Sequence, residues 1–312
     1  MKRRILTVGS ICMDFLIRLL KLPDEGEVTA EEEYQFIPGG KGLNAAVTLA
    51  QLGADSILCT KLGSDINGTK LRNFCDNACI DNRFITVGRN VSTGMKVLIS
   101  EETGTERIIK YCGANEKLTP QDVEDAFTCY PDAALLQFDI PAQAVLAASE
   151  YAEEQGIPVF VDAGPTNPEL DLSQIRNIEV FSPNADETFA YSGIYPSDVE
   201  KCMKACITIE QRINAKYIVL KLGAKGCFLF DGKYYKLFPA HDVECVDKSA
   251  AGDAFTAALA FDYMNYGDIK RACEYANIVG ALAVSKTGAA ASAPTKKDIE
   301  NFVKSNKINF KL

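Results

Sequence analysis

From Pro120 onward the chain alternates short apolar runs with stretches of helical periodicity, and this alternation constrains the fold more than any other feature. The runs 133–138, 158–162, 180–182 and 217–221 predict strands. The stretches 120–127, 142–155, 185–191, 197–213, 254–264, 268–284 and 295–305 predict helices. Strand–helix–strand order demands right-handed crossovers, so the expected fold is α/β: a doubly wound, mostly parallel sheet with helices on both faces. Ligands of such sheets collect at the carboxyl ends of the strands.

The first third interrupts this rhythm. Ile5–Val8 predicts an opening strand, followed by strands at 15–20 and 27–36 around the turn Pro23-Asp24-Glu25-Gly26. A helix through about Leu52, a strand at 56–62, a helix at 67–78 and a strand at 83–87 come next. Residues 94–100 and 106–111, joined through Gly104, predict a second hairpin, so the two hairpins are expected to form a small separate sheet.

The 312 residues, 47% of them hydrophobic, suffice for one large core, and neither a repeat nor an interdomain linker is visible. A net charge of −9 argues against a general nucleic-acid or anionic-membrane surface, so an anionic ligand must be held by local features. The eleven cysteines are scattered and there is a single histidine, His241, which argues against zinc and against histidine-based acid–base chemistry. Free thiols in a reducing cytoplasm are the expectation. Residues 1–13 faintly resemble a leader, but the apolar run is short and ends at Asp14, which favours a strand.

Several stretches carry candidate chemistry. Asp247-Lys248-Ser249-Ala250-Ala251-Gly252-Asp253 precedes a helix, so small residues expose free amides at a positive helix end, with a carboxylate in the same turn. A base beside an anion-holding turn suits removal of a proton from an attacking hydroxyl; an acidic N-capped turn is the plainer alternative. Pro38-Gly39-Gly40-Lys41-Gly42-Leu43-Asn44 offers close backbone approach plus a cation and an amide for a polyol, or simply a tight turn. Asp14 and Asp139 each end or follow an apolar strand, where an acid can bind sugar hydroxyls or cap a helix. Asn184 and Glu187 share a helix face, suited to the water shell of Mg²⁺ or to helix capping. Lys221-Leu222-Gly223-Ala224-Lys225-Gly226 admits a phosphorylated or flat ligand, and the 286–292 loop with Asp247 could hold a monovalent cation; plain turns are the alternative for both.

Taken in order, Gly-Gly-Lys-Gly-x-Asn, Asn-x-x-Glu and Asp-x-Ser-Ala-Ala-Gly-Asp resemble the ribokinase, or PfkB carbohydrate kinase, family across nearly the whole chain. Gly113-Ala114-Asn115 strengthens the likeness to its ribokinase branch. The resemblance implies one domain over 1–312, with a β lid formed by about 14–37 and 94–112 that often serves homodimerisation. It implies ATP, Mg²⁺ and K⁺, and a primary hydroxyl of a pentose or related small sugar as acceptor. It casts Asp253 as the base and Ala250, Ala251 and Gly252 as amide donors to the migrating phosphoryl group. Cys12, Asp14, Gly40, Lys41, Asn44 and Asp139 would meet the sugar; Asn184, Lys221, Gly223, Gly226, Gly252 and Asn277 would line the nucleotide. Asn184 and Glu187 would support Mg²⁺ through water, and Asp247, Ser249, Ala283, Lys286, Gly288 and Ser292 would surround K⁺. Ribokinases usually carry Asn where Cys12 stands, Glu where Asp139 stands, and Thr at positions 221 and 248, so the sugar pocket departs from the pattern. A nucleoside or other sugar kinase of the same fold is the nearest alternative. A non-catalytic sensor is a more distant one, and a dehydrogenase is disfavoured because no Gly-x-Gly-x-x-Gly follows the first strand.

Overall fold

A computed structural model describes residues 2–29, 34–103 and 106–312. The chain runs β1 (Arg4–Val8), β2 (Cys12–Leu19), β3 (Tyr34–Gly39), α1 (Lys41–Gln51), β4 (Asp55–Gly63), α2 (Ile66–Asn77) and β5 (Ile85–Gly88). It continues through β6 (Met95–Glu101), β7 (Glu106–Tyr111), α3 (Pro120–Phe127), β8 (Ala133–Gln137), α4 (Ala142–Glu154), β9 (Val159–Asp162) and β10 (Ile178–Ser182). The remainder is α5 (Ala185–Ser192), α6 (Val199–Glu210), β11 (Ala215–Lys221), β12 (Cys227–Phe230), β13 (Tyr235–Phe238), α7 (Ala251–Tyr266), α8 (Ile269–Val284) and α9 (Lys296–Ser305).

The large sheet has the order β13-β12-β11-β10-β9-β8-β1-β4-β5, parallel throughout except for the two antiparallel edge strands β12 and β13. Its central strands are buried at nearly every position because both faces are covered. Alternate side chains go to opposite cores: Leu6, Leu136 and Val161 join Phe127, Val145 and Cys206 under α3, α4 and α6. Ile5, Leu135 and Phe160 join Leu49, Leu259 and Val279 under α1, α7 and α8. Local signals set the ends of the helices. Thr119 with Asp122, and Thr295 with Asp298, form reciprocal capping boxes that start α3 and α9. The doubly wound expectation holds.

The second sheet has the order β3-β2-β6-β7, with β2 and β6 parallel. The strand expected at 27–36 is Tyr34–Gly39; residues 27–29 are not in a strand and 30–33 lie outside the described residues, as does the expected Gly104 turn. Its partner begins at Cys12 instead of 15, because Cys12, Met13 and Asp14 already pair with Gly39, Pro38 and Ile37. Only Gly9, Ser10 and Ile11 therefore separate the main sheet from the small one. Buried Asn115 ties the entry and exit of the small sheet together. It accepts from Ile11 N at 2.9 Å and donates to the carbonyls of Ile11 and Cys112 at 2.8 and 3.0 Å.

Helix α7 starts three residues before the expected 254. Ala250 holds a left-handed backbone (φ 60°) and no side chain caps the helix, so the usual sequence mark of a helix start is missing. Among the described residues, no helix is long and apolar enough to cross a membrane.

Candidate active site

The site lies where β1 and β8 run side by side while their onward connections diverge, β1 having β4 on its other side and β8 having β9. Such a switch point opens a crevice at the strands' carboxyl ends. There, Gly40 has φ 103°, and a Cβ on it would come within 2.7 Å of the Ser10 carbonyl oxygen, so only glycine lets α1 begin this close to the end of β1. The Ser10 hydroxyl donates to Asp139 after β8 and accepts from the amide of Lys41 at 3.2 Å. Gln137 Nε2 donates to the Lys41 carbonyl at 2.8 Å.

Four charges, three buried and Lys41 partly exposed, then alternate across four elements. Asp253, 4% exposed in the first turn of α7, accepts from Lys41 Nζ at 2.5 Å and from Asn44 Nδ2 at 2.7 Å. The Lys41 ammonium is also 3.5 Å from Oδ1 of Asp162, a fully buried residue at the end of β9. The same Oδ1 accepts from Lys221 Nζ at 2.9 Å, and Lys221 closes β11. Burial pushes the Asp253 carboxyl up from its ordinary range, Lys41 pulls it back and Asp162 adds to the rise, leaving it raised. Asp162 is held below its ordinary value despite its burial, because Lys221 and Lys41 outweigh the desolvation. Lys41, although desolvated, stays firmly protonated between Asp162 and Asp253.

The start of α7 presents free donors beside this chain of charges. The Ala251 amide reaches the Lys248 carbonyl at 3.4 Å, whereas among the described residues no carbonyl accepts from Gly252 or Asp253. A Cβ on Gly252 would sit 3.6 Å from Lys221 Nζ, so these amides and that ammonium face the same small space. An anion is favoured there by unpaired N–H groups, helix dipole and cation together.

On the other side of Asp253, Asp14 stands on the inner face of the small sheet. Its Oδ1 accepts from the Cys12 thiol at 3.1 Å, and Lys96 Nζ lies 3.7 Å from Oδ2. Burial pushes Asp14 up and the Lys96 ammonium moderates the rise. A cleft of about 470 Å³ opens from Asp14 past Leu16 and Leu98 to Asp247, Ser249 and Gly288. Oδ1 of Asn44 and Oδ1 of Asp139 are buried in the site without a partner among the described residues, two acceptors available to hydroxyl donors.

Cys12, Asp14, Gly40, Lys41, Asn44, Asp139 and Asp253 thus gather in one crevice, with Lys221 and Gly252 adjoining through Asp162. Asn184 and Glu187 form a reciprocal capping box at the head of α5, each bond 2.8 Å, which uses one Glu187 oxygen. Burial, with Asp162 adding, raises the Glu187 carboxyl even though Lys221 opposes it. Its other oxygen faces Gly164. Among the described residues no cluster of three or more acidic, Cys or His side chains could cage a metal. Gly223 and Gly226 shape the turn after β11, and a Cβ on Gly226 would come within 2.0 Å of the Phe238 carbonyl oxygen. Asn277 spends its amide on the Phe238 and Pro239 carbonyls, fixing that loop.

Asp247 stitches the last group. Its Oδ1 accepts from Ser249 N at 2.8 Å and its Oδ2 from Gly288 N at 2.9 Å, leaving each oxygen a further lone pair for a cation. These bonds outweigh burial and hold its carboxyl low. Ser292 N donates to the Gly288 carbonyl, Ala283 lies buried near the end of α8, and the Lys286 side chain turns away to Asp298 at 3.1 Å.

Sequence reasoning missed Asp162, Lys96 and Thr256, whose hydroxyl joins Asp162 and Lys221 at 3.4 Å. Asp162 bore the same mark as Asp139, an acid closing an apolar strand. Lys96 is a charged residue on the face of β6 that looks into the cleft.

The chain matches the pfkB family carbohydrate kinase over residues 2–296. It is 30% identical to a bifunctional ribokinase/ribose-5-phosphate isomerase A of Fructilactobacillus sanfranciscensis over 98% of this chain, and spans 57% of that longer protein. It is 29% identical to the ribokinase of Bacillus subtilis and 27% identical to the deoxyribokinase of Salmonella typhi, covering 96% and 97% of this chain and 99% of each relative. The solved structure of Arabidopsis thaliana ribokinase complexed with ribose and ATP is similar at a TM-score of 0.87 and 28% identity, covering 97% of this chain and 99% of that one. The chain therefore belongs to the pfkB family of carbohydrate kinases and has the ribokinase-like fold.

Proposed function

We propose that this enzyme transfers the γ-phosphoryl group of ATP to the primary hydroxyl of a small pentose of the ribose type. One observation carries the reading: a buried carboxylate, Asp253, shares a helix turn with two unpartnered amides, between the polyol-binding crevice and the Lys221 ammonium. The incoming hydroxyl replaces Lys41 at Asp253 Oδ1 and gives its proton to that carboxylate, while Asn44 keeps Oδ2 oriented. The amides of Gly252 and Asp253, at the positive end of α7, receive charge spreading over the phosphoryl oxygens. Magnesium, when bound, neutralises the phosphate oxygens; Asn184 and Glu187 would order its waters. Asp247 with the backbone around Ala283, Lys286 and Gly288 would hold potassium, fixing the turn that precedes α7.

A different sugar or a nucleoside is the second reading, favoured by the Cys12 thiol and Lys96 ammonium that already engage Asp14. We also propose that a second copy docks on the small sheet, whose outer strands expose Tyr34, Phe36, Ile108 and Tyr111.

The test is ADP release with Mg²⁺ over ribose, deoxyribose, fructose, adenosine and pseudouridine, with and without K⁺. Highest turnover on a free pentose is expected. ATP binding without ADP release on any acceptor would leave a sensor, not a kinase.

A further inference from the structure

We infer that Asp162 is a positioning residue for phosphoryl transfer, a buried second anchor that keeps Lys41 in the site when Lys41 leaves Asp253. The inference rests on the reading of Asp253 as the base. One oxygen of Asp162 faces both ammonium groups, Lys221 at 2.9 Å and Lys41 at 3.5 Å, and the residue is fully buried. Asp253 Oδ1 holds the other side of Lys41. A base capped by an ammonium is useless until the ammonium withdraws, and an ammonium this far from open solvent is better placed beside a second carboxylate. Asp162 supplies that place. The lysine then moves between two carboxylates without crossing into solvent, and remains close enough to steady the oxygen that loses its proton.

The geometry also divides the labour of the two lysines. Lys221 is tied to Asp162 and lies against Gly252, on the phosphate side; Lys41 is shared with Asp253, on the sugar side. A single carboxylate thus sets the spacing of the cations that flank the reacting groups. The charged groups facing Asp253 are Lys41 of α1, Lys96 of β6 and Asp162 of β9, with Asp139 after β8 facing Lys41 and Lys96, and Lys221 of β11 and Glu187 of α5 behind Asp162. Of these, Asp162 is the acid that raises Asp253.

Three variants test the inference: Asp162→Asn, Lys221→Thr and the double variant. Asp162→Asn leaves Lys41 to Asp253 alone and removes a neighbouring negative charge. Both changes favour ionised Asp253, so the acid limb of the kcat–pH profile moves to lower pH. Turnover falls at least about 10-fold, as misplaced reacting groups commonly cost. Lys221→Thr keeps the Asp162–Lys41 contact, so its acid limb does not move down. The double variant removes one charge of each sign, recovers the melting temperature lost in Asp162→Asn, and keeps the low-pH limb and the low kcat.

Recovery of wild-type kcat and pH profile by the double variant would show that Asp162 merely balances Lys221, which overturns the inference. So would unchanged turnover in Asp162→Asn, or failure of both Asp162 variants to fold. A wild type that releases ADP while Asp253→Asn does not keeps the base assignment intact whatever Asp162 does. A fully active Asp253→Asn instead removes the base reading on which this inference stands.

Discussion

Replacing Asp253 by Asn tests the base most directly. The substitution keeps size and shape and lets Asn44 remain bonded, but removes the proton acceptor and the Lys41 contact at 2.5 Å. Loss of a general base typically costs about 10²–10⁴-fold in rate, which corresponds to roughly 3–5.5 kcal/mol of barrier. The fold is expected to tolerate the change. Lys41 keeps Asp162 as a counter-ion at 3.5 Å, and the replaced carboxyl was already pushed up by burial, so the variant discards a charge the interior disfavours. Nucleotide affinity is also expected to survive, because the amides of Gly252 and residue 253 and the Lys221 ammonium stay in place. The assay is a coupled measurement of ADP release at saturating sugar and MgATP, run beside a nucleotide-binding titration and a melt. Turnover within about threefold of wild type, with binding and melting unchanged, would refute the assignment, since a factor of three is only about 0.65 kcal/mol.

Gly252→Ala is expected to fold as well as wild type, since its Cβ would meet Lys221 at ordinary contact distance, yet to raise KM for ATP by crowding the amide beside it; equal kinetics would place the phosphate elsewhere. Lys96→Ala frees Asp14 Oδ2 and is expected to change the ranking of sugars in the acceptor panel by about tenfold, the worth of one polar contact, while sparing KM for ATP. Asp262, buried beside Arg271, has its carboxyl pushed up to about 6 by burial, which Arg271 only partly offsets. A folded-state value above the unfolded one favours the folded state below pH 4, and that advantage is lost as pH rises through about 6. Wild type should therefore lose about 3 kcal/mol relative to Asp262→Asn between pH 3 and 7 in urea unfolding, and parallel profiles would contradict this.

Much of the layout was legible because it rests on local rules. The buried strand Ala133–Gln137 opens on four apolar residues in a row, and Thr119-Pro120 announces α3 through its capping box. The start of α7 was not legible: Ala250 adopts a left-handed backbone without the side chain that usually marks such a boundary. Several members of the crevice, Lys41, Asn44 and Asp253 among them, could be named one by one, since they sit at glycine-rich or acidic helix starts. Their couplings could not. Lys41 meets Asp253 across 212 residues of chain and Lys221 meets Asp162 across 59, and no local pattern records which ammonium faces which carboxylate. Lys96 illustrates the same limit in a strand, where alternation tells which face a charge takes but not what waits there.

One carboxamide grips both doorposts of the lid. Asn115 clasps the incoming chain at Ile11 and the outgoing chain at Cys112, so these two ends of the small sheet are held to each other by a single side chain. Ser10 is itself fastened to Asp139 and to the first amide of α1. The linker that carries the chain into the small sheet is thus also a wall of the crevice, so a displacement of one is felt by the other.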